Sequence, residues 1–142
     1  NSGFTALDSA YKFYRIGFQS SGFDNSHTMI ITASLAQKGD VLVAISHAGY
    51  SPEIIQTIRL AKKNAVTVIL ITSNKEKQTK YLADFIITYE AKESLLETGS
   101  IVVKMAQFFV MDLLYTQVVK EMDEKAVTNK QKTTKAIQLL HN

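Results

Sequence analysis

Three short stretches, VLVAIS at 41–46, VTVILIT at 66–72 and FIITY at 85–89, are apolar without the polar alternation of a half-exposed strand. Strands buried on both faces read this way, and they belong to parallel sheets covered by helices on either side. Between the first two, Ile54, Ile55, Ile58 and Ala61 lay an apolar stripe along a helix over 52–63. Strand, helix, strand in that order restricts the chain to an α/β fold with crossover connections, a small three-layer α-β-α sandwich.

The flanking segments fit this frame. Phe4, Leu7, Ala10, Tyr11 and Tyr14 recur at helical spacing over 2–15, and Gly17 is placed to cap that helix. Residues 18–23 are expected to form a short strand. Asp24 to Ser26 offer N-cap chemistry for a helix that should end near Gly39. Residues 77–83 make a short helix at best. After Gly99 a long segment, with Val103, Met105, Ala106, Phe108, Phe109, Val110 and Met111 among its residues, is apolar nearly all round. One side of such a helix packs on the sheet, and the rest calls for a second surface, most simply a second subunit. A polar helix over about 123–141 closes the chain.

With 142 residues the chain is a single domain by length, able to bury roughly two-thirds of its unfolded surface. No apolar run approaches the ~18 residues of a bilayer span, and no secretory segment is visible. The absence of cysteine excludes disulfides and thiolate metal sites and agrees with a reducing compartment. His27, His47 and His141 have no metal-ligand spacing, and no cofactor is called for. The net charge of +3 comes from dispersed lysines, those after residue 119 mixed with Glu121, Asp123 and Glu124. That is a solvated surface rather than a DNA-reading face. Neither a Gly-x-x-x-x-Gly-Lys run nor a complete Gly-x-Gly-x-x-Gly is present, which removes the usual nucleotide loops.

The segment AISHAGYSPEII at 44–55 is where chemistry concentrates. In α/β sheets ligands sit beyond the carboxyl ends of the strands, where this segment falls. Ser51 is placed to cap the next helix, Pro52 takes its first position and Glu53 its first turn. Free N–H groups and the positive end of the helix dipole point into the loop. Gly49 allows close backbone approach, and Ser46 and Ser51 offer hydroxyls. Neutral donors around a helix start suit a phosphate, although serine loops of this kind are often only turns.

ISHAGYSPEI resembles the Ser-x-Ser-Gly-Glu-Thr-x-Glu loop of the sugar isomerase (SIS) family of phosphosugar-binding domains. NSGF at 1–4 is similar to the end of that family's Gly-x-Gly-x-Ser turn, and LADFIITYE to the segment entering its fifth strand. VVKMAQFFVMDLLY, with Gln107 and Asp112, resembles the long helix of RpiR-type transcription regulators. The resemblance implies a five-stranded parallel sheet of order 2-1-3-4-5 in which the first strand lies upstream of Asn1. It also implies a cytoplasmic homodimer that binds a sugar phosphate and reaches DNA only through an upstream helix-turn-helix domain. The site residues it implies are Ser2, Ser46 and Ser51 as phosphate donors, with Gly49 giving backbone access. His47 would lie near the sugar hydroxyls, and Glu97 beside the ligand.

Three positions depart from the family pattern. Ala48 replaces a serine and Tyr50 a glutamate, which removes one hydroxyl donor. Lys77 stands where a serine often opens the next ligand loop, and it is read as facing water. Isomerases of the family carry an Ala-Pro-Thr-x-Ser stretch near 99–103, where this chain reads Gly-Ser-Ile-Val-Val. Glu93 and Glu97 remain as candidate bases, but such glutamates more often bind hydroxyls or face solvent. The expectation is therefore a sensor and not an enzyme. A sugar-phosphate isomerase and a non-binding dimerisation module are the alternatives.

Overall fold

The computed structural model describes residues 3–76, 82–92 and 101–141. Among them three strands, β1 (Val41–Ile45), β2 (Thr67–Thr72) and β3 (Phe85–Thr88), form one sheet in the order β1-β2-β3. Both pairings are parallel, with Val41 opposite Thr67 and Ile69 opposite Phe85. Among the described residues five α-helices accompany the sheet: α1 (Gly3–Arg15), α2 (Ser26–Leu35), α3 (Pro52–Lys63), α4 (Ile101–Met122) and α5 (Glu124–Gln138).

Successive strand residues point to opposite faces, so the sheet feeds two cores. Ala44, Val68 and Leu70 face α2 and α3, where they meet Ala33, Ile54, Ile58 and Ala61. Ile45 and Ile71 face the other way, toward Val110 and Met111 of α4 and the partly buried Phe13 of α1. This is the three-layer sandwich expected from the non-alternating strands.

Asp84 sets the entry to β3. Its backbone N–H donates to the Val68 carbonyl at 3.0 Å, and its carboxylate accepts from the Val68 N–H at 2.8 Å. The same carboxylate pairs with Lys62 at the end of α3, at 2.6 Å. One side chain thus ties a helix, a central strand and an edge strand together.

Two expectations are corrected. Residues 18–23 are not a strand. A strand persists only when a neighbour completes its ladder, and the described sheet pairs β1 with β2 alone and β2 with β3. The segment instead packs on α1: a Cβ at Gly22 would stand 2.6 Å from the Ala6 carbonyl oxygen, so only glycine fits this approach. α2 stops at Leu35, short of Gly39, because Gln37 to Asp40 close a turn of their own. The Gln37 N–H there donates to the Asp40 carboxylate at 2.9 Å. Gly39 lies in that turn with φ of 100°.

The ends of α1 are held from two sides. Gly17 (φ 108°) ends it as expected, and the Phe18 N–H reaches back to the Phe13 carbonyl at 3.1 Å. Its last carbonyls are then satisfied from α5. Asn129 donates to the Ile16 carbonyl at 2.8 Å, and Thr133 to that of Arg15 at 2.8 Å. By length and composition α4 could cross a membrane. In this fold it instead buries Val103, Gln107, Val110 and Met111.

Candidate sugar-phosphate site

β1 delivers the chain to the loop at 46–51. The Ser46 N–H adds one more bond to the ladder, to the Ile71 carbonyl at 2.9 Å, so Ser46 is buried at the strand's carboxyl end. Its Oγ accepts the Gly49 N–H at 3.1 Å. Gly49 sits at φ 80°, a left-handed conformation in which a side chain is strained. That geometry folds the loop back over Ser46. A hydroxyl that accepts one bond still carries its own hydrogen, so Ser46 keeps a donor.

Ser51 occupies the N-cap of α3 with φ −62° and ψ 142°, yet its side chain makes no capping hydrogen bond. The next residue is Pro52, which has no N–H, so the amides of Glu53 and Ile54 are the first-turn donors left without helical acceptors. A hydroxyl not used for capping therefore sits beside two free amides at a positive helix end. The carboxylate of Glu53 sits in the same turn and competes for that potential.

The far wall is the turn after β2. The His47 carbonyl accepts three bonds: from the Ser73 N–H at 3.2 Å, from Thr72 Oγ1 at 3.0 Å and from Ser73 Oγ at 2.7 Å. Asn74 donates its amide to the Ala48 carbonyl at 2.8 Å. The loop is laced to its neighbour through its own backbone carbonyls, and the hydroxyls of Ser46 and Ser51 take no part in that lacing.

The ring of His47 is held separately. Its Nδ1 lies 2.9 Å from the Tyr89 hydroxyl at the end of β3. Gln107 of α4 donates Nε2 to that hydroxyl at 3.0 Å, and Thr5 in the first turn of α1 donates to Gln107 Oε1 at 3.4 Å. Thr5 and Gln107 are each 1% exposed, and Tyr89 7%. Four side chains from four different places thus form one buried chain that ends at the loop.

Ser46, His47, Gly49 and Ser51 lie together in the loop at 46–51. Ser2, Lys77, Glu93 and Glu97 lie outside the described residues, as do positions 77–81 of the expected short helix. His27 and His141 are exposed, far from the loop in sequence and on other elements. Among the described residues no cluster of metal-ligating side chains occurs. Thr5, Tyr89 and the Thr72-Ser73-Asn74 turn were missed by sequence reasoning. A polar glutamine inside an otherwise apolar helix was the signal available for that buried chain.

A parallel sheet with a serine-bearing, glycine-bent loop at its carboxyl end places the chain among α/β domains, a class whose ligands sit beyond the strand ends. The family model of the SIS domain matches residues 1–117, and the chain belongs to that family. It is 46% identical over 136 residues to an uncharacterized HTH-type transcriptional regulator of Clostridium perfringens, covering 96% of this chain and 49% of that protein. The HTH-type transcriptional regulator RpiR of Escherichia coli K12 is 33% identical over 126 residues, covering 89% of this chain and 43% of RpiR. The chain spans about half the length of the curated relatives it matches.

Among solved structures, the Vibrio vulnificus NanR protein complexed with ManNAc-6P superposes with a TM-score of 0.87 at 24% identity, covering 98% of this chain and 52% of NanR. The sugar isomerase domain of an RpiR transcription factor from Sphaerobacter thermophilus gives 0.77 at 15%, covering 94% and 73%. These likenesses establish the fold.

Proposed function

We propose that this chain is the sugar-phosphate-sensing, effector-binding domain of an RpiR-type transcription regulator. The observation that carries the reading is Ser51. A serine at a helix N-cap whose hydroxyl makes no capping bond stands beside unpartnered amides, within the same short loop as the Ser46 hydroxyl. That arrangement suits the oxygens of a phosphate. The regulator relatives and the NanR complex support the choice of ligand class.

In this reading Ser46, Ser51 and Ser2 hold the phosphate, and His47 and Glu97 meet sugar hydroxyls. DNA is contacted by a helix-turn-helix domain upstream, in a cytoplasmic homodimer. Ligand acts by linkage: it binds one dimer arrangement better and shifts the population toward it. An isomerase needs a base free to move a proton between adjacent carbons. The titratable side chains of the loop at 46–51 are His47 and Tyr50, and the sequence relatives are transcriptional regulators, which favours sensing as the better reading.

Thermal unfolding of the intact protein against hexose, amino-sugar and muramic acid 6-phosphates tests it. Ligand at ~100 times its dissociation constant adds about 2.7 kcal/mol. For a domain of this size that is roughly 5–10 °C. The expected result is a shift with one sugar phosphate and none with the free sugar. No shift with any member of the panel leaves the non-binding dimerisation module as the answer.

A further inference from the structure

Tyr50 stands between the two residues that shape the ligand loop, Gly49 and Ser51. It is the residue just before the N-cap of α3, a place where an aromatic ring ordinarily folds down on the fourth helical side chain as a hydrophobic staple. That partner would be Ile55. Tyr50 is instead 61% exposed, too open for a ring clamped against the helix. Its backbone is nevertheless fixed from both sides. The Ala48 carbonyl accepts from Asn74 at 2.8 Å, and the buried Gly49 donates its N–H to Ser46 Oγ at 3.1 Å. On the other side the Ile55 N–H donates to the Ser51 carbonyl at 3.0 Å, which starts α3. An exposed tyrosine on a pinned backbone offers a large contact area at low ordering cost, because few side-chain torsions are left to fix.

Position decides what that area meets. A phosphate held by the first amides of α3 and the Ser51 hydroxyl leaves the rest of its molecule to extend over the rim of the loop, where Tyr50 stands. A closed pyranose turns a face of C–H groups to one side. The negative face of an aromatic ring attracts such groups and covers their apolar surface. An open-chain sugar has no such face, since its carbons rotate and its hydroxyls point in all directions. A carboxylate at position 50, as in the family pattern, would bond the hydroxyls of either form and would oppose the charge of the phosphate. The uncharged tyrosine ring does neither. We propose that Tyr50 is a specificity-determining residue: its ring stacks on the sugar, and the domain reads the closed pyranose form of a hexose 6-phosphate rather than its open chain. The inference rests on the sugar-phosphate reading above. It agrees with a sensor, because an aldose–ketose isomerase must reach the open chain, where the carbonyl lies.

Calorimetric titration of the intact protein compares glucose 6-phosphate with glucitol 6-phosphate. The second is the first with its aldehyde reduced, which keeps the phosphate and the hydroxyls but forbids ring closure. Where another member of the panel is the sugar phosphate bound, it and its own alditol take their place. Wild type should prefer the closed form by about three- to tenfold, the worth of one stacked ring. Tyr50→Ala should weaken the closed form by that factor and leave the alditol within about twofold, so that the preference disappears. Tyr50→Phe keeps the ring and should keep both affinities within about twofold of wild type. Melting temperatures separate stacking from packing: both variants should unfold within about 2 °C of wild type, as surface substitutions do. A much larger fall in Tyr50→Ala makes the ring a staple on α3 and overturns the inference. So does a wild type that binds the alditol as tightly as the sugar, or an equal loss of both ligands in Tyr50→Ala. A loss in Tyr50→Phe as large as in Tyr50→Ala overturns it too, since the hydroxyl is then the contact. Each of these results leaves sensing intact. No saturable binding of any sugar phosphate by the wild type overturns the sensing reading and this inference together.

Discussion

Ser46 and Ser51 are the same residue type five positions apart, and the fold gives them different obligations. Ser46 supports the loop: its Oγ accepts the Gly49 N–H, so Ser46→Ala leaves a buried amide without its partner. The loss should be about 1 kcal/mol of stability. Ser51 has no such bond, so Ser51→Ala should fall within about 0.5 kcal/mol of wild type despite standing at an N-cap. Both substitutions should weaken sugar-phosphate binding by about five- to tenfold. Urea melts and titrations on the two variants check this together. If Ser51→Ala loses as much stability as Ser46→Ala, its hydroxyl caps the helix and is not reserved for ligand. The same contrast shows what a sequence can and cannot reveal at this scale. The turn residues, the cap position and the glycine were all readable from their order. Which hydroxyl the loop itself uses depends on where the strand ends relative to Gly49, and that is a three-dimensional fact.

Among the elements, β3 is the most dependent on one side chain. Asp84 ends a Leu-Ala-Asp segment whose sequence does not reveal its work. The hydrogen bond from Lys62 holds the Asp84 carboxyl below the usual carboxylate range, and the Val68 N–H adds to the effect. A depressed carboxyl favours the folded state above its ordinary value of 3.8, and that contribution drains away as pH falls through the lowered folded value. The melting temperature of wild type should therefore exceed that of Asp84→Asn by a steady margin near neutrality. The margin should shrink below about pH 4. A margin that stays constant across pH 3–7 rules out ionisation as the source of the effect. The strands and helices themselves were legible because periodicity is local: 41–46, 52–63, 66–72 and 85–89 each declare their type within their own residues. Residues 18–23 were not, since a strand depends on its neighbour as much as on its composition. The link from Thr5 through Gln107 to Tyr89 was missed for a related reason. Its members come from sequence positions 102 and 18 residues apart, and no local pattern joins them.

At the scale of the molecule, the layer made by α1 and α4 is finished on its inner side only. Phe4, Leu7, Tyr11 and Tyr14 form an exposed stripe along α1, and Ile101, Met105, Phe109 and Leu113 form another along α4. The two helices are joined at several levels: Phe4 meets Phe108 edge-on at 5.8 Å, Phe13 meets Tyr115 at 5.4 Å, and Lys12 pairs with Asp112 at 3.0 Å. Both stripes are exposed on this joined pair of helices, and exposed apolar surface of this kind is a candidate interaction site. A second copy of the chain is the occupant that fits the proposed regulator. A two-fold axis through this layer would bury each stripe twice, as in an isologous dimer. It would also bring α1 of both copies, each tied through Thr5 to its own ligand loop, into the region where dimer geometry is decided. Phe109 is 65% exposed, so replacing it disturbs little packing within the subunit. Phe109→Glu places an unpaired carboxylate in the interface once per subunit, at a cost of several kcal/mol in association. Sedimentation of the intact protein should show a dimer for wild type and a monomer for Phe109→Glu at the same concentration, with unchanged circular dichroism. A variant that sediments like the wild-type dimer moves the interface away from α4. It would also mean that ligand binding at the 46–51 loop reaches the dimer axis, if at all, by a route other than Thr5 and Gln107.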